Sequence, residues 1–170
     1  MEYILQRAKE EGEEVYEKAK KIIDKGKSRG SLTLKGFVKE VKVDGRRHMV
    51  KVIDGGAVEE GKGGRKLLRI KITAEVDDVR REYTITYGRY GDDNEARGFA
   101  YARADAPGGR EADAERFAAV IEALTGKRPR IRRMKNGKTM IECGREHLDG
   151  FARYAELADA IERWLEETSQ

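Results

Sequence analysis

The chain has 170 residues, of which 40% are charged, 38% hydrophobic and 7% aromatic; 36 Lys and Arg stand against 32 Asp and Glu, a net charge of +4. That length fits one domain or one domain with an arm, and the near balance of charge argues against a one-signed disordered tail. A single cysteine, Cys143, excludes an intramolecular disulfide framework and a cysteine-rich zinc site. No apolar run approaches ~18 residues and no signal segment opens the chain, so the expected location is the cytoplasm, without membrane contact.

Residues 2–25 read as an amphipathic helix. Ile4, Ala8, Val15, Ala19 and Ile22 recur at helical spacing, and Glu14–Lys18 and Glu17–Lys21 support the opposite face. Gly26 is a stop signal, and 27–30 is a linker. Residues 31–104 read as β. Leu32, Leu34, Phe37, Val41 and Val43 lead into Asp44-Gly45, a strong hairpin dipeptide, and Met49, Val50, Val52 and Ile53 return. The Gly-rich stretch 55–64 reads as a loop. Leu68, Ile70, Ile72 and Ala74 alternate with polar residues, Asp77-Asp78 turns the chain, and Tyr83, Ile85 and Tyr87 share one face of the next strand. Phe99 and Tyr101 mark a last strand. The period then changes to helical over 111–124, ending at Gly126. A second hairpin over 129–143 turns at Asn136-Gly137. One closing helix spans 145–167, with Leu148, Phe151, Ala155, Ala158, Ile161 and Leu165 at three/four spacing. The expected fold is α+β: a mostly antiparallel sheet with helices on one face, preceded by the N-terminal helix. The expected units are an arm over 1–30 and one domain over 31–170, β-rich to residue 104 and α-ββ-α over 111–167.

Charge is unevenly placed. Residues 31–144 carry a net +7 and residues 145–170 a net −4. Seven of the twelve residues 127–138 are cationic and none is acidic: Lys127, Arg128, Arg130, Arg132, Arg133, Lys135 and Lys138. On a strand, Arg130 and Arg132 project from one face and Arg133 and Lys135 from the other. A second basic stretch holds Lys62, Arg65, Lys66, Arg69 and Lys71. Cations on a shared sheet face neutralise phosphates while aromatics such as Tyr83, Tyr87, Tyr90, Phe99 or Tyr101 offer stacking surfaces. The alternative is that edge-strand cations block edge-to-edge pairing and bridge to the acidic last helix.

Catalytic chemistry finds little support. His48 and His147 stand in no metal-ligand spacing, and Cys143 has no second thiol and no positioned base. Gly61-Lys62-Gly63-Gly64 lacks the spacing of a phosphate-binding loop, and the acidic pairs Glu59-Glu60, Asp77-Asp78 and Asp92-Asp93 fall in expected turns or loops. No catalytic residue, metal or cofactor is expected.

From Ser31 onward several strings are distinctive: Ser31-Leu-Thr-Leu-Lys-Gly-Phe37, Leu67-Leu-Arg-Ile-Lys-Ile-Thr-Ala-Glu-Val76, Glu82-Tyr-Thr-Ile-Thr-Tyr87, Ala104-Asp-Ala-Pro-Gly-Gly-Arg-Glu-Ala-Asp-Ala-Glu-Arg-Phe117, and the block from Ile141 to Thr168. In these the chain resembles the C-terminal region of the crenarchaeal PaREP repetitive paralogous proteins, second type. The resemblance implies a hyperthermophilic archaeal source. The composition agrees: Gln occurs only at Gln6 and Gln170, Asn only at Asn94 and Asn136, and ion-pairing residues abound. It implies no particular activity. From Leu67 the order ββ–α–ββ–α is also similar in architecture to a LAGLIDADG homing-endonuclease half, which implies a saddle-like DNA-binding sheet. The string nearest to that family's motif, Val52-Ile-Asp-Gly-Gly-Ala-Val58, places Gly56 where the catalytic acid stands, and the residues before it read as strand.

The expected function is therefore a non-enzymatic nucleic-acid-binding protein, with DNA ahead of RNA as ligand. The alternatives are an inactive LAGLIDADG-like relative, or an interaction module that dimerises through the stripe of residues 4–23 or the last helix.

Overall fold

The computed structural model describes residues 29–169. The helix expected over 2–25, and dimerisation through its stripe, lie outside the described residues. The elements are β1 (Val38–Val43), β2 (Arg46–Lys62), β3 (Arg65–Val76), β4 (Val79–Tyr90), β5 (Glu95–Tyr101), α1 (Gly109–Thr125), β6 (Arg130–Arg133), β7 (Thr139–Cys143), α2 (Arg145–Phe151) and α3 (Ala155–Thr168). All seven strands form one antiparallel sheet in the order β1-β2-β3-β4-β5-β7-β6. The α+β architecture expected from the sequence is present.

Turn chemistry builds the meander from β1 to β5. The β1–β2 turn holds Asp44 at φ 52° and Gly45 at φ 81°, the β2–β3 turn Gly63 at 57° and Gly64 at 78°, and the β3–β4 turn Asp77 at 50° and Asp78 at 67°. Positive φ at both central residues matches the right-handed twist of the flanking strands. Glycine reaches that region without cost; the Asp77-Asp78 pair reaches it with two carboxylates in place.

Alternation divides the sheet into a covered and an uncovered face. Val41, Val43, Val50, Val52, Leu68, Ile70, Ile72, Ala74, Val76, Tyr83, Ile85, Tyr87, Ile141 and Cys143 are all buried beneath the helices. Phe117, Ile121 and Leu124 of α1 and Leu157, Ile161 and Trp164 of α3 complete this core. Each such aliphatic side chain contributes about 1.5–3 kcal/mol on burial. Trp164 lies edge-to-face with Tyr87, ring centroids 6.4 Å apart, and donates its indole N–H to the Lys66 carbonyl at 3.0 Å. Gly98 makes room for Tyr87: a Cβ there would lie 2.6 Å from the ring.

Three expectations are corrected. The Gly-rich stretch 55–64 is not a loop; β2 runs through it to Lys62, paired with β3 from Asp54↔Thr73 to Lys62↔Arg65 after a bulge at Val52/Asp54. The string Val52–Val58 therefore lies on a strand, Gly56 included. The closing helix is two helices, broken at Ala152–Tyr154, where Leu32 inserts. The Leu32 N–H donates to the Arg153 carbonyl (2.9 Å), and the Ala155 N–H donates to the Leu32 carbonyl (2.7 Å). Leu32 and Leu34 therefore form a strap against the helices rather than the start of a strand. The second hairpin turns through a three-residue loop, Lys135–Gly137. Gly137 is at φ 88° and its N–H donates to the Met134 carbonyl at 3.0 Å, so the hairpin turns at the expected Asn136-Gly137 as a bulged turn.

Candidate nucleic-acid interface

The face away from the helices holds the residues between the buried ones. Strand register aligns them in rows across the sheet. One row runs Val58–Arg69–Thr86–Phe99–Glu142–Arg130, in successive pairs from β2 to β6. Beside it, Lys71 pairs with Thr84 on β3 and β4, and Tyr101–Met140–Arg132 continue across β5, β7 and β6. Each row has a cation on β3, threonine on β4, an aromatic ring on β5 and arginine on β6. Four strand spacings of ~4.8 Å separate β3 from β6, a span of about 19 Å.

The aromatic centre continues to the end of β4. Tyr90 meets Phe99 edge-to-face with centroids 5.3 Å apart, and the Arg65 guanidinium lies over the Tyr90 ring at 4.8 Å. Gly88 permits this, since a Cβ there would come within 3.0 Å of the Tyr90 hydroxyl. Tyr101 is 50% exposed, with the Lys138 ammonium 5.6 Å from its ring centroid. Thr84, Thr86, Tyr90, Phe99 and Tyr101 line a shallow hollow of about 510 Å³.

Some cations of this face are neutralised. Arg69 pairs with Glu60 at 2.7 Å, Arg97 with Glu95 at 2.7 Å, Arg132 with Glu142 at 3.6 Å and Arg47 with Glu40 at 3.7 Å. Lys42, Lys51, Lys62, Lys71, Arg80 and Arg130 have no carboxylate within ion-pair distance among the described residues. The acidic helix α3 packs on the other face and does not compensate them; its ion pairs among the described residues are Lys66–Glu167 at 2.5 Å and Arg29–Glu162 at 3.3 Å.

The structure thus divides the sequence-expected site. Arg65, Arg69, Lys71, Arg130 and Arg132 share the uncovered face, with Lys135 in the adjoining hairpin loop and Lys138 just after it. Lys66 turns to the helix side. Arg133 grips Glu111 of α1 with two bonds of 2.6 and 2.7 Å, and Arg128 pairs with Asp44 at 3.0 Å. Lys127 is exposed on the link from α1 to β6. Tyr83 and Tyr87 are corrected outright: they are 1% and 0% exposed beneath the helices, and a buried ring offers no stacking surface. Burial pushes the Tyr83 hydroxyl up to about 12 and Tyr87 well above the ordinary tyrosine range. The rings on the accessible side are Tyr90, Phe99 and Tyr101. Their opposite parity along the strands was the signal that separates them from the core set.

The histidines and the cysteine have structural settings. His48 is buried between β2, the β3–β4 turn and α1, with Nδ1 2.6 Å from Asp77 and Nε2 2.7 Å from Glu115. It borders a polar cleft of about 550 Å³ that also contains Arg46, Glu111 and Arg116. Burial raises the Asp77 carboxyl, but the Met49 N–H and the imidazole outweigh it and hold the group below its ordinary value. His147 caps α2: Nδ1 accepts the Gly144 N–H at 3.0 Å, and Nε2 donates to the Arg128 carbonyl at 3.0 Å, which fixes the tautomer. Burial pushes the Cys143 thiol up to about 12, the reverse of what a nucleophile requires. Among the described residues no cluster of three or more His, Cys, Asp or Glu side chains is placed to hold a metal ion, and no helix is long and apolar enough to cross a membrane.

Comparison with protein-family models, with curated proteins and with solved structures returns no match for this chain.

Proposed function

We propose that this protein binds single-stranded nucleic acid across the uncovered face of its sheet, with no chemistry of its own. The observation that carries this reading is the composition of the two rows: cations on β3 and β6, aromatic rings on β5 between them, half-buried at Phe99 and exposed at Tyr101, and no acidic helix on that side. Phosphates are neutralised at the flanks while bases stack on Tyr90, Phe99 and Tyr101, each stack contributing about 1–3 kcal/mol. A duplex hides its base faces and is read by an element that enters a groove, whereas this surface is broad and bears its rings in the middle.

Fluorescence anisotropy with labelled single- and double-stranded DNA and RNA of one sequence, at about 50 and 200 mM salt, tests it. Single strands are expected to bind more tightly than duplexes, and affinity to fall steeply with salt; the DNA and RNA arms report the sugar preference. Absence of binding, or binding indifferent to salt, overturns the reading. Equal affinity for duplex overturns the single-strand part alone.

A further inference from the structure

Beyond its bulge, β2 is paired on one side only. β1 pairs with Arg46–Lys51, and Val52 exchanges bonds of 2.8 and 2.9 Å with Phe37 and Gly36. From Asp54 to Lys62, β2 is held by β3, and among the described residues no strand lies along its other edge. In an antiparallel ladder every second residue turns its N–H and C=O outward, so this edge presents a row of donors and acceptors with no strand to pair them, the Gly55 N–H alone being taken up by the Asp54 carboxylate at 2.8 Å among the described residues. It bears no proline, it includes Gly55, Gly56 and Gly61, and Val58 at its centre is 57% exposed.

The edge is also self-complementary. A two-fold axis at Val58 sets Asp54 opposite Lys62 of a second copy, Gly56 opposite Glu60, and Val58 opposite its own equivalent. On the helix side it sets Gly55 opposite Gly61 and Ala57 opposite Glu59. No like charges meet across the axis, and the two glutamates are occupied within their own chain, Glu60 with Arg69 at 2.7 Å and Glu59 with Lys66 at 3.9 Å. A register shifted by one residue loses both Asp54–Lys62 pairs. We propose that two copies of this chain associate through Asp54–Lys62 of β2, antiparallel about Val58, and continue one sheet across the axis. The inference stands independently of what the uncovered face binds.

Directly opposed residues in an antiparallel pair have Cα atoms ~4.5–5.5 Å apart, within the range a disulfide spans. The native cysteine, Cys143, is buried and does not compete. Full-length Val58→Cys under mild oxidation is therefore expected to give a disulfide-linked dimer on non-reducing gels. Met49→Cys, on the same strand and face but where β1 is paired, is expected to give little. In sedimentation velocity, Asp54→Lys should weaken self-association about tenfold, and the double change Asp54→Lys with Lys62→Asp should restore it. Equal cross-linking at positions 58 and 49, or a monomer at every concentration with no cross-link at 58, overturns the proposal. An edge occupied from within the same chain gives that second result.

Discussion

Replacing Lys71, Arg80 and Arg130 together by glutamine removes three cations of the uncovered face that no described carboxylate neutralises. All three are exposed, and surface changes of this kind usually alter stability by less than about 0.5 kcal/mol. Each phosphate contact on a single strand contributes about 0.7 to the slope of log affinity against log salt. Losing three flattens the slope by about 2. Over a fourfold rise in salt, the parent should therefore lose roughly twentyfold more affinity than the variant. Anisotropy titrations of a labelled single strand at four salt concentrations give both slopes. The control replaces Arg128 and Arg133, which are paired with Asp44 and Glu111 away from this face, and should leave the slope as it was. If the triple variant keeps the parental slope, or the control flattens it equally, the assignment of the phosphate-binding surface is wrong.

Tyr101→Ala should weaken single-strand binding by about 1–3 kcal/mol while leaving the salt slope intact, since it removes a stacking surface and no charge; a changed slope in the same titration would refute that role. Gly98→Ala should destabilise by about 1–3 kcal/mol in urea unfolding, because the new methyl would meet the buried Tyr87 ring at 2.6 Å, whereas Gly61→Ala meets nothing within 4 Å and should leave the midpoint within a few tenths of a molar. The Glu156 carboxylate accepts the Leu34 and Lys35 N–H groups at 2.9 Å each; burial raises it, but these bonds and its own amide hold it below its ordinary value. A depressed folded-state value gives stability that is present above the unfolded value, about 4.3, and lost as pH falls through the folded one. Thermal melts from pH 6 down to 3 should show this acid loss in the parent and a shallower one in Glu156→Gln; identical pH profiles would contradict it.

Elements set by short-range chemistry were legible in the sequence. Asp44-Gly45, Asp77-Asp78 and the Gly126 stop follow from local backbone preference, and the strand of Leu68 to Ala74 follows from its alternation. What escaped was decided by distant partners. Glycines 55, 56 and 61 read as loop because glycine weakens strands, yet β3 supplies a full ladder opposite them. A Cβ at Gly55 would besides lie 2.6 Å from Leu34 Cδ1 and 3.2 Å from the Lys71 carbonyl oxygen. The break between α2 and α3 has no proline to announce it; it is imposed by Leu32, over 120 residues away in sequence. For the candidate site, the sequence offers Tyr83, Tyr87, Tyr90, Phe99 and Tyr101 together as stacking surfaces; period two separates Tyr83 and Tyr87 from Tyr90 along β4, but periodicity alone does not say which side the helices cover. Nor does a run of like charges reveal partners such as Glu111 for Arg133, which lie on another element.

The strand order has a consequence for assembly. β1 to β5 join through tight reversals, so each pairing closes only a short loop. β7 reaches β5 only after α1 and β6, which separate them in the chain, have been added, a much later closure in chain terms. The rings of Phe99 and Tyr101 stand on one side of that junction, and Met140, Arg130 and Arg132 on the other. The proposed binding surface therefore does not exist in either folding piece alone. A strand of nucleic acid laid across both rows would act as a rivet through the joint, and resistance of β7 amides to hydrogen exchange would rise with occupancy.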